Sequence, residues 1–211
     1  MNRDLYDLLG LLAAVCFVLA LKGLSSPKSA RRGNQIGAVG ATLATIIVFF
    51  YANEGRALNH LPIILAAITF GVLVGTIAAR KVQMTQMPQL VALFNGVGGG
   101  AAALVAIVEY LKLGEEAAKG GGAISAAVLI ATIFTVVVGT TSFTGSIVTF
   151  LKLQELMTTR PVIFPGGRFV IATNLVAILG CSVWVYSAAD TTSVLVLMAF
   201  SALFGILFVL P

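Results

Sequence analysis

Asn95 is an amide surrounded by apolar and small residues in "ALFNGVGGGAAALVA" (92–106). Further along, Thr132, Thr135, Gly139, Ser142, Ser146 and Thr149 recur at intervals of three and four. On a helix that spacing puts the small and hydroxyl-bearing positions on one face. None of these side chains titrates near neutral pH, yet amides and hydroxyls both donate and accept hydrogen bonds. They can therefore hold waters that pass protons without carrying charge themselves. The same hydroxyls can instead bond back to the carbonyls of their own helix, or join two helices. Both readings stay open, with Asn95, Ser142, Ser146, Thr135 and Thr149 as the candidate proton-path residues.

The glycines beside Asn95 admit two chemistries. Residues 96–101, "GVGGGA", fit the G-x-G-x-x-A spacing of dinucleotide-binding turns, and Glu116 lies 20 residues beyond Gly96. That fingerprint works only between a strand and a helix, where backbone amides are free to meet a pyrophosphate. Here it lies inside an apolar stretch long enough to cross a membrane, whose amides must bond internally. Gly96, Gly99 and Gly100 are therefore expected to serve helix packing, because small residues let a neighbouring backbone come close.

Catalytic and metal-ligating residues are not expected in this stretch. No His, Lys, Arg or carboxylate falls near the middle of any apolar run, and the one histidine, His60, is expected in a loop. Cys16 and Cys181 both lie within apolar runs, where each reads as a small apolar residue. A proton-binding group at depth would have to come from another chain or from further sequence.

The elements that must position these residues follow from composition. Of 211 residues, 59% are hydrophobic and 10% charged, and the mean hydropathy is +1.04. Such a chain belongs in a membrane. Apolar runs near the roughly 20 residues that cross a bilayer occur at Leu5–Leu24, Gln35–Ala52, Leu61–Ala79, Pro88–Leu111, Ala123–Leu151, Arg168–Tyr186 and Thr192–Leu210. They lack the alternation of barrel strands. The expected fold is all-α, a polytopic bundle of about seven spans, with residues 1–211 forming one transmembrane domain. Asn95 then sits about 10 Å of helical rise beyond Pro88.

Charge suggests an orientation, since Lys and Arg favour cytoplasmic loops. With the N-terminus outside and the C-terminus inside, nine of the thirteen basic residues face the cytoplasm and seven of the eight acids lie outside. The net charge of +5 is thereby explained by topology and calls for no nucleic-acid partner. On the inner side "KLQELMTTRPVIFPGGR" (152–168) combines Pro and Gly with apolar Val162, Ile163 and Phe164. It is either a turn dipping into the headgroups or a docking edge for a soluble partner, with Arg160, Phe164 and Arg168 as its contact residues. The apolar "FGILFVLP" at the end reads as part of something longer.

Three stretches carry a family resemblance: "QMPQLVALFNGVGGGAAALVA" (86–106), "SFTGSIVTFLKLQ" (142–154) and "RPVIFPGGRFVIATN" (160–174). They resemble the membrane part of the beta subunit of proton-translocating NAD(P) transhydrogenase, and the likeness extends over essentially the whole chain. The resemblance implies a subunit of an enzyme in the bacterial cytoplasmic (inner) membrane, in which hydride transfer between NAD(H) and NADP(H) is coupled to proton translocation. It implies that both nucleotides are held on soluble domains, and that two more helices and an NADP(H)-binding domain follow. It also implies an alpha-side membrane subunit, cytosolic nucleotide-binding domains and a second copy of the complex as partners. Asn95 matches a position where many relatives have a histidine thought to handle the proton, and Ser146 matches a serine of the proposed channel. An amide at position 95 points to a histidine on the alpha-side partner. The residues taken without the resemblance leave a secondary transporter or a membrane anchor as alternatives.

Overall fold

The computed structural model describes residues 3–26, 28–51, 60–117, 119, 124–160, 162, 165–188 and 190–211. Among them lie seven α-helices and no strand: α1 (Arg3–Leu24), α2 (Ala30–Tyr51), α3 (Leu61–Lys81), α4 (Met87–Glu116), α5 (Ala126–Leu153), α6 (Gly167–Ala188) and α7 (Thr191–Val209). Six of them, all but α2, are long and apolar enough to cross a membrane. The architecture is the all-α, polytopic one expected. Helix ends do not follow the apolar runs: α2 takes in Arg31 and Arg32, and α4 continues through Glu115 and Glu116. A helix satisfies its backbone whether its surroundings are lipid or headgroups, so hydrogen bonding sets these ends as much as apolarity does.

Local chemistry marks several ends. Pro88 occupies the first turn of α4, where its missing amide costs nothing. The Ser125 hydroxyl accepts from the Val128 amide to start α5, and the Asp190 carboxylate accepts from the Ser193 amide to start α7. The α5 end turns through Glu155 at φ 56°, and Gly166 at φ 81° precedes α6.

The chain divides into two compact units, residues 1–75 and 76–211. In the first, α1 and α2 pack through small residues, burying Ala13, Ala20 and Ile47. A Cβ on Gly40 would lie 2.8 Å from the Cys16 Cβ, so Cys16 is a small packing residue as expected. In the second, α5 packs against α4 on one side and α7 on another, and α6 lies against α7. Ile107, Tyr110, Leu129, Val136, Ile178, Val185, Val194 and Leu197 form its core.

Large apolar side chains cover the outside of the second unit as well as its core. Phe134 is 67% exposed, Phe169 80% and Phe208 66%, a surface suited to lipid rather than to water. Hydrogen bonds tie helix ends of one side together: Gln89 Nε2 of α4 donates to the Leu153 carbonyl of α5, and Lys152 of α5 donates to carbonyls of α7. At the opposite end the Tyr110 hydroxyl of α4 donates to the Asp190 carbonyl beside α7. The start of α4 and the ends of α5 and α7 thus share a side.

Candidate functional site at the α4–α5 seam

The two stretches singled out in the sequence meet. Asn95 Nδ2 donates to Ser142 Oγ at 3.0 Å and to Ser146 Oγ at 2.9 Å. Asn95 is eight residues into α4 and Ser146 seven before the end of α5, so the cluster sits about 10–12 Å from one end of both helices. Apolar residues flank it on both helices, Leu93 and Phe94 on α4 and Ile147 and Val148 on α5.

Glycine makes the approach possible. A Cβ on Gly96 would stand 2.9 Å from the Ser146 Cβ, one on Gly99 2.9 Å from the Ser142 Cβ, and one on Gly100 2.9 Å from a Phe143 ring carbon. Gly139 answers from α5, where a Cβ would meet the Ala103 side chain at 3.1 Å. All six residues of "GVGGGA" lie within α4 rather than at a turn, which removes the geometry a pyrophosphate would need.

The hydroxyl stripe separates into two kinds. Thr135 Oγ1 donates to the Ala131 carbonyl at 2.7 Å, and Thr149 Oγ1 donates to the Gly145 carbonyl at 2.9 Å. Both are engaged within their own helix, the fate open to any membrane hydroxyl. Ser142 and Ser146 make no such back-bond; each accepts from Asn95 and keeps its own proton to give away. Thr132 is buried on the same helix, one turn above Val136.

Beside this cluster runs an open groove of about 380 Å³, lined by Asn95, Gly98 and Ala102 of α4 and by Thr135, Val138 and Ser142 of α5. Each water in the liquid occupies roughly 30 Å³, so the groove has room for several beside an amide and two hydroxyls. The arrangement can hold and orient water, and it cannot itself take up a proton.

The residues expected to dock a soluble partner are placed less completely. Arg160 is exposed beyond the end of α5. Arg168 is exposed in the first turn of α6, beside a cavity of about 630 Å³ that Phe169 and Phe208 also line. Phe164 lies outside the described residues. Two features of the second unit escaped the reading of the sequence. Thr141 Oγ1 of α5 donates to the Ser201 carbonyl of α7 at 3.1 Å, and Gly145 packs on Gly205. Ser201 and Gly205, like Thr141 and Gly145, stand four apart, the small-residue spacing that marks a helix contact. Lys152, counted only as a loop charge, proves to bridge α5 and α7.

An exterior rich in apolar side chains and six helices of spanning length and apolarity define an integral membrane protein of the polytopic helical class. The family model described as NAD(P) transhydrogenase beta subunit matches residues 6–211. Two curated sequences named NAD(P) transhydrogenase subunit beta, both from Rhodospirillum rubrum, are each 40% identical over 155 residues, covering 74% of this chain and 32% of the relative. The chain belongs to the NAD(P) transhydrogenase beta subunit family. It spans about a third of the length of these curated relatives.

Proposed function

We propose that residues 1–211 are a transmembrane, proton-translocating domain of a transhydrogenase, an enzyme complex that couples hydride transfer between NAD(H) and NADP(H) to proton movement across a bacterial cytoplasmic membrane. The observation that carries this reading is the Asn95 amide bonded to both Ser142 and Ser146 beside a groove large enough for water. Family membership supplies the reaction. In this reading the domain holds neither nucleotide; NAD(H) and NADP(H) are carried by cytosolic domains of the complex.

The amide supplies hydrogen bonds and no titratable group, so a proton acceptor reaches the open groove from a helix of the alpha-side membrane subunit. Proton transfer then runs through waters oriented by Asn95, Ser142 and Ser146. The N-terminus lies outside and the C-terminus inside, the loop after α5 meets a cytosolic domain through Arg160, Phe164 and Arg168, and the complex works as a dimer.

The test is a series at Asn95 in the complete complex, reconstituted into vesicles and assayed for both hydride exchange and proton uptake. Asn95→Ala slows proton-coupled turnover without abolishing nucleotide binding. Asn95→Leu, which fills the groove with apolar volume, is worse, and Asn95→His retains activity. Proton uptake at the parental rate in Asn95→Leu would refute the assignment.

A further inference from the structure

Helix α5 carries two adjacent working faces. Gly139, Ser142 and Ser146 meet α4, whereas Thr141, Gly145 and Lys152 meet α7. On the second face the contact ends in a charge. Lys152 Nζ donates to the carbonyls of Val209 and Leu210, both at 2.7 Å, and the ammonium is half-buried. The Leu210 carbonyl also accepts from the Val162 amide at 3.2 Å. Hydrogen bonds from an ammonium to carbonyl oxygens are charge-assisted, so they are shorter and stronger than neutral ones.

Lys152 lies six residues, about 9 Å, along α5 from Ser146. Between them the helix is continuous, and packed helices move as stiff units rather than stretching. Beside Lys152, the Leu153 carbonyl accepts from Gln89 of α4. The end of α5 is thus bonded to the end of α7 and to the start of α4 at neighbouring residues.

We propose that Lys152 is a positioning residue. Its ammonium, clamped on the Val209 and Leu210 carbonyls, sets the height of α5 against α4, so that a displacement of α7 at those residues is delivered to the Asn95–Ser142–Ser146 cluster. The role of the cluster in this proposal rests on the function proposed above; the mechanical link does not. A neutral side chain cannot replace the ammonium, because hydrogen bonds with a charged partner are about twice as strong as neutral ones. Arginine can, since it keeps both charge and donors.

The experiment uses the complete complex in vesicles and two readouts. The first is the labelling rate of Gly98→Cys by a small thiol reagent, with Cys16→Ala and Cys181→Ala as background; Gly98 lines the groove and has open space around it. The second, without the added cysteine, is the number of protons taken up per hydride exchanged. Lys152→Met is expected to change the labelling rate about tenfold, the scale of one lost charge-assisted hydrogen bond, and to lower the proton yield, while Lys152→Arg restores both. A fall in thermal stability with labelling and proton yield unchanged would overturn the proposal and leave Lys152 a simple helix cap. Altered labelling with a normal proton yield, in a complex where Asn95→Leu does block uptake, would also overturn it. If Asn95→Leu pumps normally, the proposed function fails, and a labelling change still establishes the mechanical link. Should Lys152→Met not assemble, Lys152→Gln, which keeps a donor without the charge, goes through the same two measurements.

Discussion

Gly99 and Gly139 face each other across the α4–α5 seam with no room for a side chain on either. A Cβ on Gly99 would fall 2.9 Å from the Gly139 carbonyl oxygen, and one on Gly139 would fall 3.1 Å from the Ala103 amide nitrogen. The obstacles are backbone atoms of packed helices, which cannot swing aside as a flexible side chain can. This contact brings the Asn95 amide within reach of two hydroxyls one turn apart on the other helix.

Gly99→Ala is therefore expected to destabilise the protein by about 1–3 kcal/mol, the cost of forcing extra volume into a packed interface. Gly98→Ala, one residue away and with nothing within 4 Å of its added carbon, is expected to be neutral or to gain up to about 1 kcal/mol of helix propensity. Thermal unfolding of both variants in detergent checks this. Equal effects would mean that the seam is looser than described.

Asn95, Ser142 and Ser146 should behave as one energetic unit. Asn95→Ala in the parent removes two hydrogen bonds, but in a Ser142→Ala, Ser146→Ala background it removes none. The two costs are expected to differ by about 1–2 kcal/mol, taking each interhelical bond in a membrane protein at roughly 0.6–1 kcal/mol. A double-mutant cycle by reversible unfolding in mixed micelles measures the difference, and strict additivity would show that the three do not interact.

Thr135 and Thr149 bond their own helix, so the threonines should tolerate loss of the hydroxyl where the serines do not. Thr135→Val and Thr149→Val are expected to leave proton-coupled turnover within about threefold of the parent, the scale of a single membrane hydrogen bond. Ser146→Val should reduce it further, because the Asn95 amide loses a partner and a methyl group enters the seam. Assays of the three variants in reconstituted vesicles decide the matter; equal losses at Thr149 and Ser146 would return the whole stripe to one role.

Lys28→Cys and Thr158→Cys are expected to escape a membrane-impermeant thiol reagent applied to intact cells, whereas Glu115→Cys is labelled. The reverse pattern would place the N-terminus inside and the loop after α5 outside. Phe164→Asp belongs to the same side: it is expected to separate hydride exchange from proton movement while leaving the helices assembled, and unchanged coupling would make that loop a turn and no more.

The seven helices among the described residues and their approximate places were legible in the residues themselves, because the bilayer imposes a length and an apolarity that local sequence must meet. The small-residue spacing of Gly96 and Gly100 likewise announced a close contact before its partner was known. Hydropathy was a weaker guide to where α2 and α4 begin or end, since headgroup-level turns are held by caps and ladders rather than by lipid. Which hydroxyl serves which purpose was not legible, for Thr135, Ser142, Ser146 and Thr149 share a spacing and differ only in what stands opposite. Tertiary packing alone decided that Asn95 takes both serines while the two threonines turn back on their own carbonyls. It also decided that Lys152 reaches across to Val209 and Leu210. A charge at the end of an apolar run looks the same in sequence whether it faces water or a neighbouring helix end, and only the juxtaposition of α5 with α7, 57 and 58 residues apart in the chain, distinguishes the two.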